Sequence, residues 1–502
     1  MRFEYTLIDS WPALAWLAKC SSNEPVIKVL HGSQVETKED WFCEAIWDGE
    51  YSLGDFDRTD VIFGSGARIR ESDNGADVFF VSSGTTVDRL QSILQNDGVW
   101  ISNSLACLTE CVNGSVDPVY PRYYEDLFTV CHGLTKYKRT LSTTAGPVCL
   151  TYFHNLKWDG HELTDSEKPN PTRDFSSFAN FHAFLKSSLQ KMNDNMSSSL
   201  RLHPYRMLGT LSSGYDSATI TVLAHEYGLK DVISFTQARN EKDDSGATIA
   251  EKLNLSVMQT SRDDWRIHPL PEAPFLTADS FGEDVYFHSA HEKLKGRVLL
   301  TGHNGDSTWD INNLRISTEL TRTTTSGLSF TEYRLMAGFI HCTVPFLGMR
   351  QSTDIQAISH SAEMKPWDIG GDYNRPICRR IIEEAGIPRG SFAIHKSANS
   401  VLFYERNGFL SPNSLADYRQ WIKQCSQSGT VHPCSKKTLR QIACSVVAQG
   451  LNLISNIAPT KLHRFKTIAY RFTMVERQEL FRYVFPWALE RTKEVYRLPI
   501  AD

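Results

Sequence analysis

Strand-like and helix-like segments alternate between residues 207 and 305, and this alternation restricts the fold more than any other feature. An apolar stretch, MLGTL, precedes a polar loop and a helix-like stretch, ATITVLAHEYG. The same order recurs where DVISFT precedes DDSGATIAEKLNL and where RVLLTG precedes HNGDSTWD. This pattern predicts an α/β fold with a doubly wound parallel sheet, because parallel strands need crossover connections that helices usually supply.

The segments on either side of this region have a different character. Residues 1 to about 165 carry short β-branched and aromatic runs separated by Gly, Asn and Asp, which predicts a β-rich domain with few helices. A polar stretch, DGHELTDSEKPNPTRD, predicts a linker. Beyond about residue 350 the pattern is mostly helical. We therefore expect three domains, at residues 1–170, 171–410 and 411–502. A helix is predicted directly after the linker, because five apolar residues there have helical spacing: Phe178, Phe181, Phe184, Leu185 and Leu189.

Composition argues against several classes of function. The 502 residues are 41% hydrophobic and 22% charged, as in ordinary soluble proteins. Lys and Arg number 53 against 58 Asp and Glu, so a net charge of −5 provides no basic field for nucleic acid. No apolar run approaches the roughly 18 residues of a membrane-spanning helix, and we expect no membrane partner. The start of the chain lacks the features of a signal peptide. Eleven cysteines without CxxC pairs favour free thiols and a cytoplasmic location.

The first loop of the alternating region contains residues suited to binding phosphate. It reads LSSGYDS, residues 211–217, and it opens a helix. A helix N-terminus offers unpaired N–H donors and the positive end of the helix dipole. Ser, Gly and Asp are also ordinary capping and turn residues, so the stretch alone supports both interpretations. A P-loop is excluded because the chain contains no Gly-Lys pair, and GSGARI at 64–69 lacks the third glycine of a dinucleotide-binding loop.

Four stretches, in order, resemble the asparagine synthetase family of ATP pyrophosphatases. LSSGYDS resembles the family's pyrophosphate-binding loop, Ser-Gly-Gly-X-Asp-Ser, and TGHNGDS (301–307) resembles its Ser-Gly-Glu-Gly-Ser-Asp-Glu stretch. MAGFIHCTVPFLG (336–348) resembles its Met-Ala-X-Gly-Val-Glu-X-Arg-X-Pro-Phe-Leu-Asp stretch. RPICRRIIEEAGIPRGSFAIHKSA resembles the segment that delivers a catalytic lysine. The resemblance covers residues 175–405 and, more weakly, the N-terminal part.

This resemblance implies a particular architecture. The N-terminal domain is expected to be a degenerate glutaminase-like αββα domain of the N-terminal nucleophile (Ntn) hydrolase type. An ATP pyrophosphatase domain with a doubly wound parallel sheet is expected to follow it. A helical C-terminal extension is expected to pack on that second domain.

The resemblance also implies a site for ATP and Mg²⁺. Asp216 and Asp306 are the expected Mg²⁺ ligands, since this hard cation prefers carboxylate and phosphate oxygens. Lys396 is the expected catalytic lysine. The residues implied for nucleotide binding are the pyrophosphate loop, Ser212, Ser213, Gly214, Asp216 and Ser217, and the adenosine site, Leu211, Ser234, Gln237, Thr301 and Gly302.

The N-terminal part departs from the family. Members that hydrolyse glutamine use an N-terminal cysteine as nucleophile, whereas Met1 is followed here by Arg2. The first cysteine is Cys20, which we expect inside a helix. The chain is therefore most similar to glutaminase-deficient members such as β-lactam synthetase, carbapenam synthetase and the lasso-peptide cyclases. We expect no glutaminase activity.

The synthetase part departs from the family as well. Ser213, Ser307, Thr343 and Gly348 replace residues usual in the family, and these changes either retune the substrate or mark a degenerate enzyme. His341 stands where the family places a glutamate. Imidazole is suited to act as a general base near neutral pH, which makes His341 a second catalytic candidate. Its apolar neighbours fit a packed core histidine equally well.

The expected function is an ATP-dependent ligase or cyclase that forms amide bonds without glutamine hydrolysis. It would adenylate the carboxylate of a small molecule or peptide, release pyrophosphate and join the acyl group to an amine. Two alternatives remain open. The first is a catalytically degenerate nucleotide-binding scaffold for a partner biosynthetic protein, and the second is an asparagine synthetase-type amidation that uses free ammonia. An enzyme is favoured because a scaffold does not need the residues that are retained: Ser212, Gly214, Asp216, Ser217, Asp306 and Lys396.

Overall fold

The computed structural model of the chain contains three β-sheets with helices packed around them, which confirms the predicted α/β class. The described residues are 1–22, 24–73, 75–95, 98–120, 122–235, 244–393, 399–401, 410–429, 439–457, 468–469, 472 and 482–498. No helix within these ranges is long and apolar enough to cross a membrane.

Two sheets that pack face to face occupy residues 1–166. Their strands are β1 Arg2–Leu7, β2 Trp16–Cys20, β3 Val26–His31, β4 Glu36–Thr37, β5 Trp41–Trp47, β6 Ile62–Ser72, β7 Gly75–Val81, β8 Leu90–Gln95, β9 Gly98–Ser102, β10 Thr140–Thr143, β11 Gly146–Thr151, β12 Asn155–Trp158 and β13 Leu163–Ser166. The first sheet has the order β1-β3-β2-β9-β8-β11-β10, and the second has the order β13-β12-β7-β6-β5-β4. Trp16, Phe42 and Phe80 lie among the buried side chains between the sheets. The predicted β-rich character of this region is confirmed.

Two local predictions in this region are wrong. Cys20 is the last residue of strand β2 and not part of a helix, because β2 pairs with β3 on one side and β9 on the other. Such pairing overrides the local helix preference of the sequence. The stretch predicted as a linker, residues 159–174, contains strand β13, which pairs with β12, and residues 167–174 follow it without helix or strand.

A parallel sheet occupies the middle of the chain, as the strand–helix alternation predicts. Its strands are β14 Arg206–Thr210, β15 Asp231–Phe235, β16 Ser256–Thr260, β17 Arg297–Thr301 and β18 Ile340–Thr343, in the order β16-β15-β14-β17-β18. The first strand of this sheet in the sequence is β14. Strands β15 and β16 are added on one side of it, and β17 and β18 are then added on the other side. The direction of winding therefore reverses between β14 and β17. The carboxyl ends of these two strands open a crevice of the kind in which open α/β sheets bind ligands.

Helices cover both faces of the parallel sheet. The helices of the described residues are, in chain order, α1 Leu105–Cys111, α2 Tyr123–Phe128, α3 Phe178–Met196, α4 Tyr215–His225, α5 Ala247–Lys252, α6 Ala273–Asp279, α7 His291–Leu294, α8 Gly305–Thr308, α9 Phe330–Ala337, α10 Ser352–His360, α11 Pro376–Glu384, α12 Pro412–Gln427, α13 Leu439–Ile457 and α14 Val484–Lys493. Leu208 and Leu299 share a buried cluster with α6, α9 and α14. Their neighbours Met207 and Val298 share another with α3, α4 and α11. Strands that are apolar on both faces are typical of a sheet buried between two helical layers.

The last helix joins distant parts of the chain. Thr492 on α14 forms a hydroxyl hydrogen bond of 2.9 Å with Thr277 on α6. Lys493 donates to the carbonyl of Gly114, and the indole of Trp11 donates to the carbonyl of Tyr496. The predicted helical C-terminal segment therefore contacts residues of the first 170 as well as the parallel-sheet region.

A buried ion cluster on α9 links the N-terminal sheets to the parallel-sheet region. Arg334 is only 1% exposed and donates to Glu44 on β5, with 3.0 Å between Nη2 and Oε1. Its Nη2 also lies 2.6 Å from Oδ2 of Asp88. Burial opposes the charge of Arg334, but the two carboxylates outweigh it and raise the pKa of the guanidinium. The arginine therefore stays charged between two carboxylates.

Helix α9 also carries a buried carboxylate, Glu332, that contacts the N-terminal part. Glu332 accepts hydrogen bonds from the backbone N–H groups of Leu105 and Ala106 and from the hydroxyl of Ser104. These groups form the N-terminus of α1, where a negative charge is favourable. Helix α9 therefore binds the N-terminal part through both of its charged side chains at residues 332 and 334.

The substitution Arg334→Met should lower the free energy of unfolding by about 3–5 kcal/mol, because it leaves two buried carboxylates without their cation. Adding Glu44→Gln should restore part of the loss, since it neutralises one of them. Thermal unfolding of both single variants and the double variant measures this. Arg139→Met, which removes the exposed pair with Asp165, is the control and should change stability by less than about 1 kcal/mol. A double variant no more stable than Arg334→Met alone would contradict the account.

Candidate functional site

A cavity of about 180 Å³ lies where the carboxyl ends of β14 and β17 meet. Its polar side is the loop between β14 and α4, and its apolar side contains the rings of Phe235, Tyr286 and Phe287. The centroids of Phe235 and Tyr286 are 4.8 Å apart in an edge-to-face arrangement. Seven of the residues predicted to bind nucleotide line this cavity: Leu211, Ser212, Gly214, Asp216, Ser217, Thr301 and Gly302.

The backbone N–H groups of the loop lie beside the cavity and are hydrogen-bonded to other groups of the protein. The N–H of Ser212 donates to Oγ of Ser217 at 3.0 Å, and the two serine hydroxyls lie 2.7 Å apart. The N–H of Gly214 donates to Oγ of Ser212 at 3.2 Å. Ser213 donates through its N–H and its hydroxyl to Asp244, which lines the cavity. The loop therefore has the donors that a pyrophosphate group requires at a helix N-terminus.

Asp216 lies in the first turn of α4 and is paired with a buried arginine. Arg375, just before α11, donates to Oδ1 of Asp216 and is 2% exposed. Burial opposes the charged guanidinium, but the Asp216 carboxylate outweighs it and raises the pKa of Arg375. This arginine was not predicted from the sequence.

Gly302 allows the two strand ends to approach each other closely. A Cβ atom at this position would lie 2.5 Å from Cβ of Asp216, which is closer than side-chain atoms pack. A side chain at position 302 would therefore collide with Asp216, which explains why a glycine follows Thr301. It places the end of β17 directly against the first turn of α4.

The second predicted metal ligand lies outside the wall of the cavity. Asp306 is on the short helix α8 and accepts a hydrogen bond of 3.2 Å from the hydroxyl of Thr323. Among the described residues, no three His, Cys, Asp or Glu side chains are arranged to hold a metal. Mg²⁺ commonly binds through one or two carboxylates together with phosphate oxygens of the substrate. Two aspartates therefore fit this cation only together with a phosphate ligand, and Asp216 would share its carboxylate with Arg375.

His341 lies on β18 beneath the cavity and does not line it. It is 5% exposed, and its Nε2 is 2.8 Å from the hydroxyl of Thr301. Burial, followed by the neighbouring His303, lowers the pKa of His341 well below the usual range of histidine. The imidazole is therefore neutral at pH 7 and contacts two residues that line the cavity, Thr301 and His303.

A different histidine lines the cavity. His303 has Nε2 3.5 Å from Oδ1 of Asp284, and Asp284 is fixed by the N–H of Gly327 and the hydroxyl of Ser329. Burial lowers the pKa of His303, although Asp284 opposes this. The sequence analysis did not single out this pair. The sequence offered one signal: His303 lies in TGHNGDS, a stretch that resembles a family motif with glutamate at this position.

Three predicted residues are placed differently or not described. Ser234 is buried and its hydroxyl donates to the carbonyl of Ser245, while its neighbours in β15 line the cavity. Gln237 and Lys396 lie outside the described residues.

Of the two described residues next to 394–398, Ala393 contacts the loop after β14 and Asn399 lines the cavity. The N–H of Ala393 donates to the carbonyl of Ser213 at 2.6 Å. Asn399 lines the cavity, and its carbonyl accepts a hydrogen bond of 2.8 Å from Arg262.

Two larger grooves lie elsewhere on the surface. One, of about 510 Å³, is between α3 and α11, and one, of about 610 Å³, is bordered by Asp57, Arg68 and Arg70 in the N-terminal part. Neither contains a predicted site residue. Position at the reversal of strand order, together with the converging donors, favours the smaller cavity as the functional site.

Comparison with known proteins provides no further assignment, because no family model and no curated protein matches the chain.

The substitution His341→Gln separates two roles for this residue. A catalytic base here would produce an acid limb in the pH–rate profile well below pH 6.5, because the pKa of His341 is lowered, and the variant would lose that limb together with most turnover. A purely packed histidine would lower the melting temperature and leave the acid limb of the remaining activity unchanged. The measurements that decide between the two roles are pH–rate profiles and melting curves of wild type and variant.

Proposed function

We propose that the protein is an ATP-dependent carbon–nitrogen ligase that forms AMP and pyrophosphate. One observation carries the proposal: the donor-rich loop after β14 and the residues Thr301 and Gly302 after β17 meet in one cavity at the reversal of strand order. An apolar aromatic end beside a donor-rich end suits an adenine base and a phosphate chain.

In the proposed reaction, the loop donors hold the β- and γ-phosphates of ATP. Asp216 and Asp306 would hold Mg²⁺, which when bound stabilises negative charge on the phosphate oxygens. The substrate carboxylate attacks the α-phosphorus, so that a new P–O bond forms while the bond to pyrophosphate breaks. An amine then attacks the acyl carbon, its proton passes to a base, and AMP leaves as the amide forms.

The source of the amine in this proposal is the substrate itself or free ammonia. Burial raises the pKa of the described thiols for which a shift is resolved: Cys20, Cys43, Cys107, Cys131, Cys149, Cys342, Cys378 and Cys425. Such thiols are poor nucleophiles at neutral pH. This supports the interpretation of the two N-terminal sheets as a degenerate glutaminase-like domain. The proposed substrate is a small-molecule or peptide carboxylate in the cytoplasm.

A nucleotide-binding scaffold for a partner biosynthetic protein is the second candidate. The observation that favours it is the pairing of Asp216 with Arg375, which occupies a carboxylate that catalysis would use. The two candidates differ in turnover. Pyrophosphate release from ATP, measured over a panel of carboxylic acids and peptides, tests the enzyme directly.

Asp306→Asn should abolish acid-dependent pyrophosphate release, because it removes a proposed Mg²⁺ ligand. The fold should stay intact, because Asp306 is only partly buried and its carboxylate accepts a hydrogen bond from Thr323 that an amide oxygen can also accept. Asp216→Ala should have the same effect on activity, but it also leaves Arg375 without its carboxylate, so its melting temperature must be measured in parallel. Asp372→Asn, an exposed aspartate nearby, is the control and should be fully active. Unchanged turnover in Asp306→Asn and Asp216→Ala would exclude the pyrophosphatase proposal.

Lys396→Ala should raise the barrier to amide formation by on the order of 3 kcal/mol, because the expected role of this lysine is to stabilise charge in the transition state. The dissociation constant for ATP should change little. Single-turnover kinetics and equilibrium ATP binding measure the two effects separately. Lys365→Ala removes a lysine that is 69% exposed and should leave both quantities unchanged. Equal turnover in wild type and Lys396→Ala would assign the charge stabilisation to another residue.

A further inference from the structure

The donors of the phosphate loop are already occupied by acceptors of the protein itself. Each of the four N–H groups of residues 212–215 has an acceptor within 3.2 Å. Ser212 and Gly214 donate to serine hydroxyls of the same motif. Ser213 and Tyr215 donate to groups from other parts of the chain, Asp244 and Tyr373. The last two contacts are the ones that a ligand can replace.

Asp244 places a negative charge where a phosphate would bind. It is 3% exposed, and Oδ1 accepts from both the N–H and the hydroxyl of Ser213. Its backbone carbonyl accepts from the same N–H at 3.2 Å. A carboxylate and a phosphate oxygen compete for the same donors, and they repel each other in a partly buried site.

Tyr373 blocks the first N–H of helix α4. Its hydroxyl accepts from the N–H of Tyr215 at 3.2 Å, and a Cβ atom built on Gly214 would lie 3.5 Å from that oxygen. Two residues further along, Arg375 holds Asp216. One short segment therefore covers both the helix N-terminus and the carboxylate beside it.

We infer that the phosphate loop rests in an autoinhibited state, in which Asp244 and Tyr373 occupy the positions of phosphate oxygens and ATP binds only by displacing them. This inference rests on the proposed function and concerns the regulation of the same site.

The two displaced groups oppose phosphate binding in different ways. Asp244 opposes phosphate through both its charge and its hydrogen bonds, whereas the neutral hydroxyl of Tyr373 opposes it through one hydrogen bond. Asp244→Asn should therefore lower the dissociation constant for inorganic pyrophosphate by about tenfold, and Tyr373→Phe by about threefold.

The experiment is calorimetric titration of the full chain with inorganic pyrophosphate in EDTA, and with MgATP, at constant ionic strength. The gain for Asp244→Asn should be larger with pyrophosphate than with MgATP, because Mg²⁺ screens the repulsion. Asp372→Asn removes the same charge from the exposed surface nearby and should bind like wild type.

The possible outcomes separate this inference from the proposed function. If wild type binds pyrophosphate and Asp244→Asn binds it no more tightly, the autoinhibited state is wrong and the function stands. If neither binds pyrophosphate or ATP, both are wrong. If Asp244→Asn does not fold, Tyr373→Phe decides the question from the other segment, and an unchanged dissociation constant overturns the inference.

Discussion

The buried contact between Arg334 and its two carboxylates is the interaction on which the rest of the arrangement depends. It joins strand β5 and the segment before β8 to helix α9, and the same helix caps α1 through Glu332. The residues just before α9 fix Asp284 beside His303, and the residues just after it form the edge strand with His341. A buried ion pair of this kind adds little net stability but is costly to break. It therefore specifies how the N-terminal sheets and the site are placed relative to each other.

The position of the site follows from topology more than from any single motif. Because the chain winds first to one side of β14 and then to the other, the loops after β14 and β17 diverge and leave a crevice. Gly302 allows those loops to approach within contact of Asp216. Backbone N–H donors, two aspartates and an aromatic wall then lie within one small region. The proposed ligase chemistry uses each of these, and the self-occupied loop supplies a resting state for them.

Local patterns in the sequence were enough to predict the strands of the parallel sheet and helix α3. The apolar runs of the alternating region became the parallel sheet, and the five apolar residues after the linker lie on α3. Cys20 and β13 were mistaken because strand pairing with distant residues decides their conformation. The contacts of Asp216 with Arg375 and of Ser213 with Asp244 join residues 159 and 31 positions apart, so no local pattern could reveal them.

The central claim is that a carboxylate attacks the α-phosphorus of ATP in the cavity between β14 and β17. Isotope transfer tests it most directly: the protein is incubated with MgATP and a panel of carboxylic acids and peptides labelled with ¹⁸O in the carboxylate. If the account is correct, at least one acid yields AMP that carries one ¹⁸O atom from that carboxylate, together with an equal amount of pyrophosphate. Formation of ADP and phosphate, or of AMP whose new oxygen comes only from water with every acid, would contradict it.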